Sequence, residues 1–151
     1  MTDKWKVLDA SFQSCADLQE LFQPISPDLN TLQLSQGSLQ GRLQIINLGS
    51  FRLTLLQANQ ALFLSGSRCP QSCTIAVPLC DPQSADPIRA QGIDMPWPGL
   101  MGYNHQLRDF DLRLTANTAL ASLIISKEHL NEHNQQFNTG DLTLERWEHT
   151  N

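Results

Sequence analysis

The string "HLNEH", His129 to His133, sets two histidines four residues apart with Glu132 beside them. On a helix both rings fall on one side, the spacing of the H-x-x-E-H zinc peptidases. A catalytic zinc also needs a third protein ligand and a substrate cleft, and a solvated polar helix face accounts for the same residues. "CPQSC", Cys69 to Cys73, lacks the C-x-x-C spacing of a redox pair, and no second cysteine pair completes a zinc knuckle. There is no G-x-S-x-G turn, no partner nucleophile for His105 and no glycine-rich phosphate loop. No metal ligand set, cofactor or catalytic residue is assigned, and the expectation is a protein that is not an enzyme.

What remains is binding chemistry. "LQGRLQIINL" alternates, with Leu39, Leu43 and Ile45 on one side and Gln40, Arg42 and Gln44 on the other. Arg42 and Gln44 either line a cavity for a polar guest or form the wet face of a sheet. Arg89 is the other strand-borne cation singled out, and "MPWPGLMGYNH" gathers Trp97, Tyr103 and His105 near strand ends. Aromatic walls with a few fixed polar groups suit a small-molecule pocket. The same residues also read structurally: Trp97 as a loop anchor, Tyr103 as a core residue with its hydroxyl at the rim, and Arg42 as solvated or paired with an acid such as Asp111.

These side chains must be positioned by strands. From Leu29 to Ser126 the apolar period is two, in short runs separated by "QGS", "LGS", "ANQ", "SRCPQ", "CDPQSADP", "MPWPG" and "TANT". The candidate strands are "LNTLQLS", "LQGRLQIINL", "FRLTLLQA", "QALFLSGS", "SCTIAVPL", "IRAQGI", "GLMGYNH", "DFDLRLT" and "ALASLIIS". Such short connections demand antiparallel neighbours in a sandwich or barrel. Before them, "SCADLQELF" predicts a short helix capped by Ser14 and ended by Pro24 and Pro27. After them, "SKEHLNEHNQQFNTG" predicts a helix behind a serine cap, with Gly140 as its C-cap. Leu130 and Phe137 on that helix, with Leu144 and Trp147 beyond it, are apolar residues that a solvated tail does not need.

The chain's 151 residues suffice for one domain with a core. Its net charge of −5, with only 10 Lys and Arg, excludes the basic stripe that nucleic-acid binding requires. No apolar run reaches the length of a membrane span, and the N-terminus lacks a hydrophobic signal core. A cytoplasmic location is expected, and with it free thiols at Cys15, Cys69, Cys73 and Cys80.

Among β barrels, metal cupins carry an H-x-H pair on one strand, which this chain lacks; three of its four histidines lie beyond the strands. The order of segments instead resembles the N-terminal sensor half of AraC/XylS-type transcription regulators, nearest the ethanolamine-regulator branch. There the chain runs "QLSPGxFxGxL" into a strand pair, and here Gln33, Leu34, Ser35, Gly37, Gly41 and Leu43 occupy the corresponding positions. Gln36 stands where proline is common and Leu39 where phenylalanine is common. "FDLRLTAN" and "LASLIISKEHL" match the last strands and first helix of that domain, so the likeness spans most of residues 10–137.

The resemblance implies a mainly β fold, a cupin-like antiparallel jelly-roll barrel with a short N-terminal helix and one or two C-terminal helices. It divides the chain into an N-terminal arm and helix (1–27), the barrel (28–126), and a C-terminal helix with the start of an interdomain linker (127–151). It further implies a small-molecule effector, a homodimer contacting through Leu130, Phe137, Leu144 and Trp147, and a DNA-reading helix-turn-helix domain outside this segment. "LERWEHTN" resembles the start of the connection to that domain. The alternative is a stand-alone cupin-like domain that binds a small molecule or a protein without catalysis.

Overall fold

Successive side chains of a strand point to opposite faces, so the period-two pattern calls for a sheet buried on one side. A computed structural model of the chain describes residues 6–79, 87–95, 99, 101–102 and 107–137. It is mainly β, two antiparallel sheets with a helix near each end, the jelly-roll-like architecture expected. The larger sheet runs β1 (Lys6–Phe12), β3 (Gly41–Asn47), β4 (Phe51–Ala58), β11 (Thr118–Ser126), β6 (Ser72–Pro78), β9 (Met101–Gly102). The smaller runs β2 (Asn30–Gln33), β5 (Leu62–Ser67), β10 (Asp109–Leu114), β7 (Arg89–Ala90), β8 (Ile93–Asp94).

Helix α1 (Cys15–Phe22) begins where Ser14 accepts a hydrogen bond from the Asp17 amide at 3.1 Å, and Leu18 is fully buried beneath it. Helix α2 (Lys127–Phe137) starts without a loop after β11, and the Ser126 hydroxyl accepts from the His129 amide at 3.2 Å. Gly140 lies outside the described residues.

Two elements differ from the sequence reading. The expected arm contributes β1, whose seven residues pair with β3 from Lys6↔Asn47 to Phe12↔Gly41. "KVLDASF" hides this because β1 is an edge strand exposed along most of its length, so its side chains need no alternation. "IRAQGI" is a hairpin instead of one strand: Gln91 and Gly92 both have positive φ, 55° and 73°, and turn β7 back onto β8.

The core lies between the sheets. Leu43, Leu56 and Leu120 form one row across β3, β4 and β11. Leu62, Leu64, Leu112 and Leu114 face them from β5 and β10. Phe12 closes this end with its ring beside Gly41, which any larger residue would displace. A Cβ at Gly41 would lie 2.5 Å from the Gln57 carbonyl and closer still to the Phe12 ring. Gly41→Ala should therefore cost about 1–3 kcal/mol, the usual penalty of overpacking, read as a lower urea midpoint with an unchanged slope.

Candidate functional site

Away from Phe12 the layer between the sheets does not fill. A cavity of about 410 Å³ remains, floored by Leu56, Leu64, Leu112 and Leu120 and walled toward its mouth by α1's last residue, Phe22, and by Phe110. That volume is at the small end of the ~300–1,000 Å³ range of small-molecule pockets.

Strand register explains its lining. The inward residues of β4 are Arg52, Thr54, Leu56 and Ala58; those of β11 are Thr118, Leu120, Ser122 and Ile124; those of β6 include Ser72 and Thr74. Thr54 lies opposite Ser122, and Ile124 stands between Arg52 and Thr74. β4 and β6 thus grade from apolar at the floor to polar at the mouth, while β11 sets Ser122 between Leu120 and Ile124. The outward positions Leu53, Leu55, Leu123, Ile75 and Val77 are aliphatic and half-buried. On these three strands the hydroxyls face in, an inversion of the ordinary pattern.

Two hydroxyls of the cavity lining are unmatched among the described residues. Thr54 is 6 % exposed, and its Oγ1 meets no hydrogen-bond partner there; neither does the buried Ser26 Oγ on the chain leaving α1. Each such group costs about 1–3 kcal/mol unless something meets it. Arg52 donates through Nε to Asn47 Oδ1 at 3.0 Å, across the β3–β4 pair. Arg68 and Cys69 also line the mouth. Ser67 is committed elsewhere: its amide (2.9 Å) and hydroxyl both donate to Asp28, and these bonds hold that carboxyl below its ordinary pKa.

The structure gives Arg42 and Gln44 other surroundings. Both project from the outer face of the larger sheet toward Asp9 on β1. Arg42 makes a two-pronged ion pair with Asp9, at 2.7 and 2.5 Å, and Gln44 adds a bond at 3.0 Å. Asp9, not Asp111, is the partner. Arg42 also borders a shallow groove of about 760 Å³ with Gln40, Gln57 and Asn117, at the Phe12 end and apart from the cavity. Arg89 pairs with Asp94 across the β7–β8 hairpin at 2.7 Å, exposed. Neither Arg42, Gln44 nor Arg89 lines the cavity. Trp97, Tyr103 and His105 lie outside the described residues, as do Leu144 and Trp147 and the side chain of Phe137; Leu130 is half-buried on α2.

Sequence reasoning passed over Arg52 and Thr54. The available signal was β4's own alternation, "FRLTLLQA", in which polar Arg52 and Thr54 share a face with Leu56 and Ala58. The zinc-peptidase string lies on α2, where the His129 ring meets Phe51 edge-on at 4.9 Å and His133 at 4.7 Å. No group of three or more His, Cys, Asp or Glu residues gathers among the described residues. Cys15, Cys69 and Cys73 form no disulfide among the described residues. No described helix is long and apolar enough to cross a membrane.

No protein-family model and no curated protein matches the sequence. Among solved structures the chain is similar to that of the AraC-like transcriptional activator CuxR, at 13% identity and a TM-score of 0.46. The match covers 93% of this chain and 64% of that one.

The Arg42 pair yields a test of its outward placement. Hydrogen bonds from Arg42 and then Gln44 hold the Asp9 carboxyl at about 2, against an ordinary value of 3.8. A depressed acid stabilises the fold above its unfolded pKa, and that contribution is lost as pH falls through the folded one. Arg42→Ala should therefore flatten the melting-temperature decline between about pH 4 and pH 2, measured beside the parent chain.

Proposed function

We propose that this chain is the effector-sensing domain of an AraC-like transcription regulator. It binds a small molecule between its sheets and controls a DNA-reading helix-turn-helix domain elsewhere in the protein, with no catalysis of its own. The sequence motifs around Gln33–Leu43 and "FDLRLTAN" support the family. The observation that carries the sensing role is the continuity of cavity and helix. Ser122 and Ile124 of β11 line the cavity, and three residues beyond Ile124 the same strand has become α2.

That continuity offers a lever. Ile125, buried on the opposite face of β11, lies across from Phe51, and Phe51 carries the His129 ring of α2. Lys127 is further tied to the β6 side by its amide bond to the Gln71 carbonyl at 2.8 Å. A guest that bears on Ser122 or Ile124 would favour one seating of α2 over another. Only such differential affinity shifts an equilibrium. In this reading α2, with Leu130 and Phe137 and the following Leu144 and Trp147, forms the homodimer contact and the start of the linker, in a cytoplasmic protein.

The stand-alone binding-domain reading keeps the cavity and lacks the output, so the test must follow α2. A thermal-shift screen of amino alcohols, amino acids, sugars and organic acids should return a stabilising ligand. At a free concentration a hundredfold above Kd the gain is about 2.7 kcal/mol, or roughly 5–10 °C for a domain of this size. With that ligand, amide exchange in α2 should change along with that in β11. Stabilisation with no change in α2 favours the stand-alone reading, and a screen without hits counts against a small-molecule role.

A further inference from the structure

We propose that the cavity's guest is a small amphipathic carboxylate, its acid group held by the Arg52 guanidinium at the mouth and its apolar body laid on the leucine floor. The inference rests on the small-molecule reading above and names the chemistry of that same site.

Three observations converge on it. The first is charge. Arg52 lines the cavity, and the lining has no acid among the described residues. Arg52's one hydrogen bond there uses Nε alone, to a neutral amide, so its terminal nitrogens meet no acceptor among the described residues. A guanidinium fork matches a carboxylate in the plane, two donors to two oxygens. Asp28, the acid beside the mouth, is engaged by Ser67 and is not among the lining residues.

The second is the orphaned Thr54 hydroxyl, buried one inward position deeper than Arg52 on the same strand. A hydroxyl can donate to an anion or accept from a guest's own donor. It stands where the head group gives way to the body. The third is the floor. Leu56, Leu64, Leu112 and Leu120 present no polar side-chain atom. A sugar or a sugar phosphate, polar along its whole length, would leave donors and acceptors unmatched there. A simple hydrocarbon or alcohol would leave Arg52 without a counter-charge.

The test uses the 151-residue chain and titration calorimetry with octanoate, 3-phenylpropionate and the two corresponding amides. At least one acid should bind, and its amide should bind about tenfold more weakly or worse, since a charge-assisted bond is lost. Arg52→Ala should weaken the acid about 10- to 100-fold and leave the amide unaffected. Thr54→Val, which keeps the side-chain shape, should weaken the acid a few-fold. The acid–amide comparison on the parent chain needs no variant, so a poorly folding Arg52→Ala does not shield the proposal. Equal binding of acid and amide, or an acid affinity indifferent to Arg52→Ala in a variant that melts like the parent, overturns it. If neither acid binds while the metabolite screen yields a sugar or amino alcohol, the carboxylate is wrong and the sensing reading stands. If neither assay yields a ligand, both fall.

Discussion

The two sheets are held together by the apolar layer at one end of the roll, and the rest of the molecule depends on that layer being confined there. Leu43, Leu56 and Leu120 meet Leu62, Leu64, Leu112 and Leu114, with Phe12 sealing the edge over Gly41. Burial at about 25 cal/mol per Å² makes these side chains the main source of cohesion. Because one end supplies it, the other is free to carry groups that a core would reject. The cavity's hydroxyls and its arginine are tolerated on that account.

Position in the sheet, not residue type, decides which polar groups matter. Arg42 and Arg52 are both strand arginines ten residues apart, on neighbouring strands of one sheet. The first projects outward and is neutralised by Asp9 in a solvent-exposed pair of the kind that contributes little. The second projects inward beside hydroxyls, with no acid to meet it among the described residues. The register fixes this outcome, because the side-chain period of a strand is two and a shift of one residue would exchange the faces.

Much of the fold was legible because turns and alternation agree. β4, β6, β10 and β11 fall within a residue or two of the runs bounded by "LGS", "SRCPQ" and "TANT", and Ser14 and Ser126 mark both helix starts. β1 was not legible, since an exposed edge strand imposes no pattern on its residues. The site was less legible than the fold. Alternation separates two faces but does not say which is inside. The usual guide, that the apolar face points inward, fails on β4, where Phe51, Leu53 and Leu55 are the outward set. Arg42 and Gln44 stand on β3, whose apolar face does point inward, so the same alternation leaves them outside.

β11 divides its labour by parity. Ser122 and Ile124 line the cavity, while Ile125 stands across from Phe51 of the Phe51–His129 stack beneath the helix. Odd and even positions of one short segment therefore answer to different packing partners. Change at even positions reshapes the cavity wall; change at odd positions reshapes the seat beneath α2. Inserting a single residue at mid-strand would swap the two faces beyond that point, so β11 tolerates a change of composition far better than a change of length.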